Sequence, residues 1–138
     1  MNEAARHTLY ADGAARGNPG PAGAGAALVA PDGEIVAEVM RYLGRATNNV
    51  AEYTALIIGL EEAQRRGLVD LDVRMDSLLV VQQVRGAWKI RHPGLAPLAA
   101  RAITLLRSFQ SVDVRHIPRE QNGLADELSN RAIDEQVA

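Results

Sequence analysis

The chain has 138 residues, 47% of them apolar and 23% charged, a balance that suits one globular domain spanning residues 1–138 and excludes a disordered chain. It has no cysteine, which excludes disulfides and thiolate metal sites. The opening residues, Met1-Asn2-Glu3-Ala4-Ala5-Arg6, lack the apolar core of a signal peptide, and no apolar run approaches membrane-spanning length, so a cytoplasmic protein with no membrane partner is expected.

In chain order, His7 to Ala14 alternates weakly and reads as a strand ending in Asp12-Gly13, followed by the turn Gly17-Asn18-Pro19-Gly20-Pro21. Ala22 to Ala30, rich in Gly and Ala, is a second strand. Pro31-Asp32-Gly33 turns it back into a third, Glu34 to Tyr42, completing an antiparallel meander. The spacing then predicts a helix from about Asn49 to Arg66, capped by Asn48 or Asn49 and closed by Gly67. Leu71 to Met75 is a short buried strand, and Asp76-Ser77 can cap a helix from Leu78 to about Val84. Gly86 to Pro97 is irregular and holds Trp88, Lys89, Arg91 and His92. Leu95 to Phe109 is an amphipathic helix, Val112 to Ile117 a fifth strand, Pro118 to Gln121 a loop, and Asn122 begins a last helix through about Glu135. Strand–helix–strand alternation in the second half implies parallel pairing, so the fold class is α/β with a mixed sheet. Ligand sites in such sheets lie beyond the carboxyl ends of the parallel strands.

The net charge of −2 does not suggest a nucleic-acid binder, but it is unevenly spread. From Arg85 to Arg119 there are seven bases and one acid, Asp113, a net +6 that leaves −8 for the remainder. Such a segment is a candidate phosphate-facing surface. The plainer account is a solvated helix face carrying ordinary arginines.

Four acids stand out. Helical spacing aligns Glu52 with Ala55, Leu56, Gly59 and Ala63, which aims a carboxylate inward from the first turn of a buried helix. An unpaired buried charge is expensive, so Glu52 needs a partner. It either forms a capping-box pair with Asn49, answers the helix dipole, or serves a metal or catalytic site. Asp12 is near a strand end, where it can also start a turn with Gly13. Asp76 ends a strand, where it can also be a cap. Asp126 lies in the first turn of the last helix, where the dipole also favours an acid. Carboxylates gathered at one point would repel unless cations neutralise them, and an oxygen-only set favours Mg²⁺ or Mn²⁺. Two such ions about 4 Å apart activate a water and stabilise the leaving oxygen of a phosphodiester. The gaps of 40, 24 and 50 residues between these acids fix no distance, so their convergence is an expectation.

Read together, four stretches resemble the type 1 ribonuclease H family over nearly the whole chain: Tyr10-Ala11-Asp12-Gly13 with Gly17-Asn18-Pro19-Gly20-Pro21; Thr47-Asn48-Asn49-Val50-Ala51-Glu52; Met75-Asp76-Ser77; and His116-Ile117-Pro118-Arg119-Glu120-Gln121-Asn122 leading to Ala125-Asp126-Glu127-Leu128. Each is weak alone, and the set in this order is specific. The resemblance implies a ribonuclease H-like five-stranded mixed sheet, three strands antiparallel and two parallel, flanked by helices. It implies an endonuclease that hydrolyses the RNA strand of RNA–DNA hybrids with two Mg²⁺ or Mn²⁺ ions, leaving 5′-phosphate and 3′-hydroxyl ends. Asp12, Glu52, Asp76 and Asp126 match the family's metal-binding acids, and His116 matches a histidine that assists water activation or product release.

Substrate contacts carry over as well. Gly13, Asn18, Asn48 and Asn49 fall at substrate-binding positions, and the three asparagines match residues that read the minor groove and the RNA 2′-hydroxyls. An amide suits that task because it both donates to and accepts from a hydroxyl. Arg45 and Thr47 match part of a pocket for a DNA-strand phosphate, where a guanidinium fork fits. There are departures. Leu78 stands where some members have a substrate-contacting glutamine, and His92 where an asparagine often completes the phosphate pocket. Of the basic protrusion of some bacterial members only Trp88-Lys89-Ile90-Arg91 remains; Trp88 either stacks along the DNA strand, with Lys89 and Arg91 beside it, or anchors its own loop. This compact form resembles archaeal-type members and domains fused to a second enzyme. Two rival readings are a non-catalytic module of the same fold that binds hybrid or a protein partner, and a nucleotide hydrolase with Gly13 to Gly25 as its phosphate loop. The second lacks a following Gly-Lys-Ser/Thr, and Pro19 and Pro21 remove amide donors.

Overall fold

The computed structural model describes residues 6–136. Three strands open the chain: β1 (His7–Ala15), β2 (Gly20–Val29) and β3 (Ile35–Ala46). They pair antiparallel in sequence, β1 with β2 and β2 with β3. β4 (Asp70–Met75) then joins the other side of β1 in parallel, and β5 (Ser111–His116) adds in parallel to β4. The sheet order is β3-β2-β1-β4-β5, the expected mixed sheet.

β3 runs four residues beyond the Tyr42 end expected from alternation. The register with β2 slips between the pairs Ala22↔Gly44 and Gly23↔Tyr42, so Leu43 is left over as a bulge. An extra residue breaks period-two alternation, which is why the pattern stops there. The extension delivers Arg45 to the mouth of the first helix.

That helix, α1 (Asn48–Arg65), is capped by Thr47, whose Oγ1 accepts from the Val50 N–H at 3.2 Å. This corrects the expected asparagine cap: Thr47 takes the task and leaves the side chains of Asn48 and Asn49 free of it. The Asn48 N–H, unsatisfied within the helix, donates instead to Asn18 Oδ1 at 3.0 Å. α2 (Leu78–Val84) is capped by Ser77 through the Val80 N–H, and α3 (Ala96–Arg107) ends two residues short of the expected Phe109, which remains buried. A single 3-10 turn, Arg119–Gln121, leads into α4 (Gly123–Glu135).

Two helices clamp the sheet from opposite sides. A side chain at Gly59 of α1 would meet Leu9 and Ala26, whereas one at Gly23 or Gly25 would fall on the backbone of Ser129 in α4. Residues 23 and 25 face the other way from residue 26, so α1 and α4 lie on opposite faces. The bare backbone of β2 lets α4 sit flush on it. On the α1 side the core is Leu9, Ala11, Tyr53, Leu56, Leu60, Val73, Met75 and Leu105 with their neighbours. Among the described residues, no helix is long and apolar enough to cross a membrane.

Candidate active site

The last register pair of the β1–β4 ladder is Ala11↔Met75. Asp12 and Asp76 are the next residue along each chain, so parallel pairing sets them side by side at the carboxyl end of that ladder; Asp12 is not at the strand end expected of it, because β1 runs on to Ala15 against β2. Glu52 arrives from the first turns of α1. Gly13 makes its approach possible, because a Cβ there would collide with the backbone of Ala51 and Glu52. In the space so left, the Gly13 N–H donates to Glu52 Oε1 at 2.5 Å. Glu52 is thus held by the strand rather than by the capping-box pair with Asn49, and Asp76 is not the cap of α2, since Ser77 is.

One carboxylate oxygen from each of Asp12, Glu52 and Asp76 lies within 4.8 Å of the others. Asp126, in the first turn of α4, stands outside this trio but lines the same open cavity of about 300 Å³. Asp12 and Glu52 are only 5% and 6% exposed, so their charges are poorly hydrated. Burial, with the nearby charges of Asp76 and Asp126, pushes the Asp12 carboxyl up to about 7, although a hydrogen bond from Glu52 opposes the rise. Burial and the adjacent Asp12 push Glu52 up to about 10. Both carboxyls are thus pushed toward the protonated form, chiefly by burial. The trio therefore lacks positive charge. Its donors are all hard oxygens, and the cavity lining contains no histidine, so the residues fit a hard divalent cation.

The other expected residues are distributed unevenly. Gly13 and Asn48 line the cavity, and Asn18 is tied to Asn48 at its edge. Arg45, Thr47 and Asn49 are exposed around the start of α1. His116 is exposed at the end of β5, in register with Met75, and is not part of the cavity lining. Trp88, Lys89 and Arg91 are exposed in the loop after α2, away from the acids. Trp88 is 43% exposed; Ile90 packs on the core, and Gln83 Nε2 donates to the Lys89 carbonyl at 3.3 Å. Those two contacts, with the bond from the Trp88 N–H to the Gln82 carbonyl at 3.1 Å, tie the loop to α2 and the core.

Four residues of the site escaped sequence reasoning. Arg16 and Arg119 line the cavity with the acids. Asn130 donates to Asp126 Oδ1 at 3.3 Å, and Asn122 donates to Asp76 Oδ1 at 2.8 Å. Asn130 lies one helical turn after Asp126, a spacing legible in the sequence. Asn122 reads in the sequence as a helix start, which hides its side chain's partners.

Comparison with known proteins decides the family. A family model described as reverse transcriptase-like matches residues 10–132. A ribonuclease HI of Halobacterium salinarum is 50% identical over 126 residues, covering 91% of this chain and 63% of the relative. The chain belongs to the ribonuclease H family. The bifunctional protein Rv2228c of Mycobacterium tuberculosis is 47% identical over 127 residues, 91% of this chain but 35% of that protein. The chain thus spans about a third to two thirds of the length of these curated relatives. Among solved structures, that of LC11-RNase H1 in complex with an RNA/DNA hybrid superposes with a TM-score of 0.89 at 43% identity, covering 96% of this chain and 100% of that one. The ribonuclease H fold therefore accounts for both the sheet order and the clustering of the acids at one strand end.

Proposed function

We propose that this chain is a metal-dependent ribonuclease H, an endonuclease that cuts the RNA strand of RNA–DNA hybrids and leaves 5′-phosphate and 3′-hydroxyl ends. The observation that carries this is the meeting of three carboxylates, from β1, α1 and β4, in one open cavity of a ribonuclease H family member. Asp12, Glu52 and Asp76 would hold the divalent cations, Mg²⁺ or Mn²⁺ and two per site with substrate bound, and Asp126, which lines the same cavity, would complete the set. When bound, such ions supply Lewis-acid activation of water and stabilisation of the leaving oxygen.

The chain's own residues do the rest. Gly13 orients Glu52 through its N–H, and burial keeps the Asp12 and Glu52 carboxyls poorly hydrated, an arrangement that divalent cations would relieve. Asn48 lines the cavity, Asn18 is tied to it, and Asn49 follows exposed on α1; their amides would recognise the hybrid's minor groove and 2′-hydroxyls. Arg45 and Thr47 receive a DNA-strand phosphate, with Trp88, Lys89 and Arg91 extending that contact. His116, exposed at the neighbouring strand end, assists at water activation or product release.

The test is a hybrid with labelled RNA, incubated with Mg²⁺ or Mn²⁺. Shortened RNA with 5′-phosphates is expected from the wild type and none from Asp12→Asn. Hybrid bound but uncut by both proteins would instead make this a non-catalytic module.

A further inference from the structure

We infer that Asn122 is a positioning residue that fixes Asp76 and couples the segments carrying Asp12, Asp76 and Asp126; this rests on reading the cavity as a divalent-cation site. Asn122 is 1% exposed and has two amide protons to give. Its Nδ2 donates to the Ala11 carbonyl at 2.9 Å and to Asp76 Oδ1 at 2.8 Å. Its backbone carbonyl accepts from the Asp126 N–H at 3.0 Å. One residue therefore touches the peptide before Asp12, the side chain of Asp76 and the backbone of Asp126. It does so just where the β1–β4 ladder stops at Ala11↔Met75, so the amide continues the join that backbone pairing no longer makes.

The orientation of that amide is forced. Both partners of Nδ2 are acceptors, so the flipped amide would set oxygen against oxygen. The forced choice leaves Asn122 Oδ1 buried with no hydrogen-bond partner, an arrangement that folded chains avoid. Nor does the side chain cap α4, although Asn122 occupies the cap position. The amide is thus withdrawn from its ordinary local use and committed to the carboxylate. An amide is also the right donor for a metal ligand. It restrains Asp76 without neutralising it, whereas Arg74 neutralises Asp72 on the same strand. Partners of this kind around a metal typically govern affinity by tenfold to a hundredfold.

The experiment compares wild type with Asn122→Ala and the near-isosteric Asn122→Asp. For each, Mn²⁺ is titrated while thermal stabilisation is followed, and kcat and KM for the hybrid are measured at saturating metal. For Asn122→Ala, the Mn²⁺ midpoint should rise about tenfold or more and kcat should fall, with hybrid KM within about twofold of wild type. Asn122→Asp, which keeps the shape but loses both donors, should fail to rescue kcat. A folded Asn122→Ala whose Mn²⁺ midpoint stays within twofold of wild type overturns the inference, whatever its melting temperature. If neither variant folds, the wild type decides. Its Asn122 side-chain NH₂ resonance should be protected from exchange and should shift during a Mg²⁺ titration; a resonance that is unprotected or unmoved by Mg²⁺ overturns the inference equally. A wild type that neither binds these ions nor cuts hybrid would sink the nuclease reading itself, which the Asn122 comparison alone does not.

Discussion

Asp72 in β4 and Asp76, the residue just beyond that strand, are four residues apart and have opposite fates. Asp72 lies mid-ladder within a lattice of opposite charges: Arg6 Nε is 3.1 Å away and Arg74 Nη2 3.8 Å, while Arg74 and Arg115 lie 3.5 Å and 2.8 Å from Asp113 on β5. Asp76, one residue past the ladder, has no arginine in salt-bridge range among the described residues. Its neighbours are a neutral amide and two more acids. The same residue type is answered by side chains in one place and left unanswered in the other. Charge that a fold leaves unneutralised, at the carboxyl ends of parallel strands, is charge kept for a ligand.

The largest test of this contrast is a pair of substitutions. Asp76→Asn should lower hybrid cleavage by about a thousandfold, the scale expected when several kcal/mol of metal-derived transition-state stabilisation is lost. It should also raise the melting temperature of the metal-free protein by relieving repulsion. Asp72→Asn should leave cleavage within about threefold and cost at most about 1 kcal/mol of stability, as partly exposed ion pairs do. Equal losses from the two would erase the distinction.

A weaker but broader effect lies in pH. Asp12 and Glu52 have raised folded-state values, so both states are protonated in acid and only the unfolded state ionises as pH first rises. Their contribution to stability is therefore present below about pH 4 and is lost progressively through about 7 for Asp12 and onward toward about 10 for Glu52. Melting curves in EDTA should show that decline. Saturating Mg²⁺ should flatten it and release protons into the buffer near neutral pH. A metal-free protein whose stability rises across that window would contradict the unneutralised trio.

The smallest effect separates Asp76 from its neighbour. Ser77→Ala should cost about 1 kcal/mol in denaturant unfolding, the usual loss of a helix cap, with cleavage nearly unchanged. A collapse of activity would mean that the cap and the acid act as one unit.

Local chemistry made most of this legible in the sequence. Alternation and turn residues marked the five strands, and the carboxylates were visible because each lay near a strand end or a helix start, although Glu52 sits one turn deeper in α1 than expected and Asp12 lies within β1. What stayed hidden was non-local or aperiodic. The bulge at Leu43 broke the alternation by which β3 would have been followed to Ala46. Thr47, Asn48 and Asn49 are all competent caps, and local sequence does not show that Thr47 is the one used. Asn122 reads as a helix start because it is one; its bond to Ala11 spans 111 residues, and no spacing rule reaches that far.

The flush seat of α4 on β2 has a further consequence. No charged group lies between the bare Cα positions of Gly23 and Gly25 and the Ser129 backbone they abut, yet the elevation of Asp126 over the cavity is decided there. A single methyl group added at Gly25 would lift the helix like a shim and carry the fourth acid away with it. The tolerance of the chemistry is thus set in part by two residues that have no side chain and never meet the substrate.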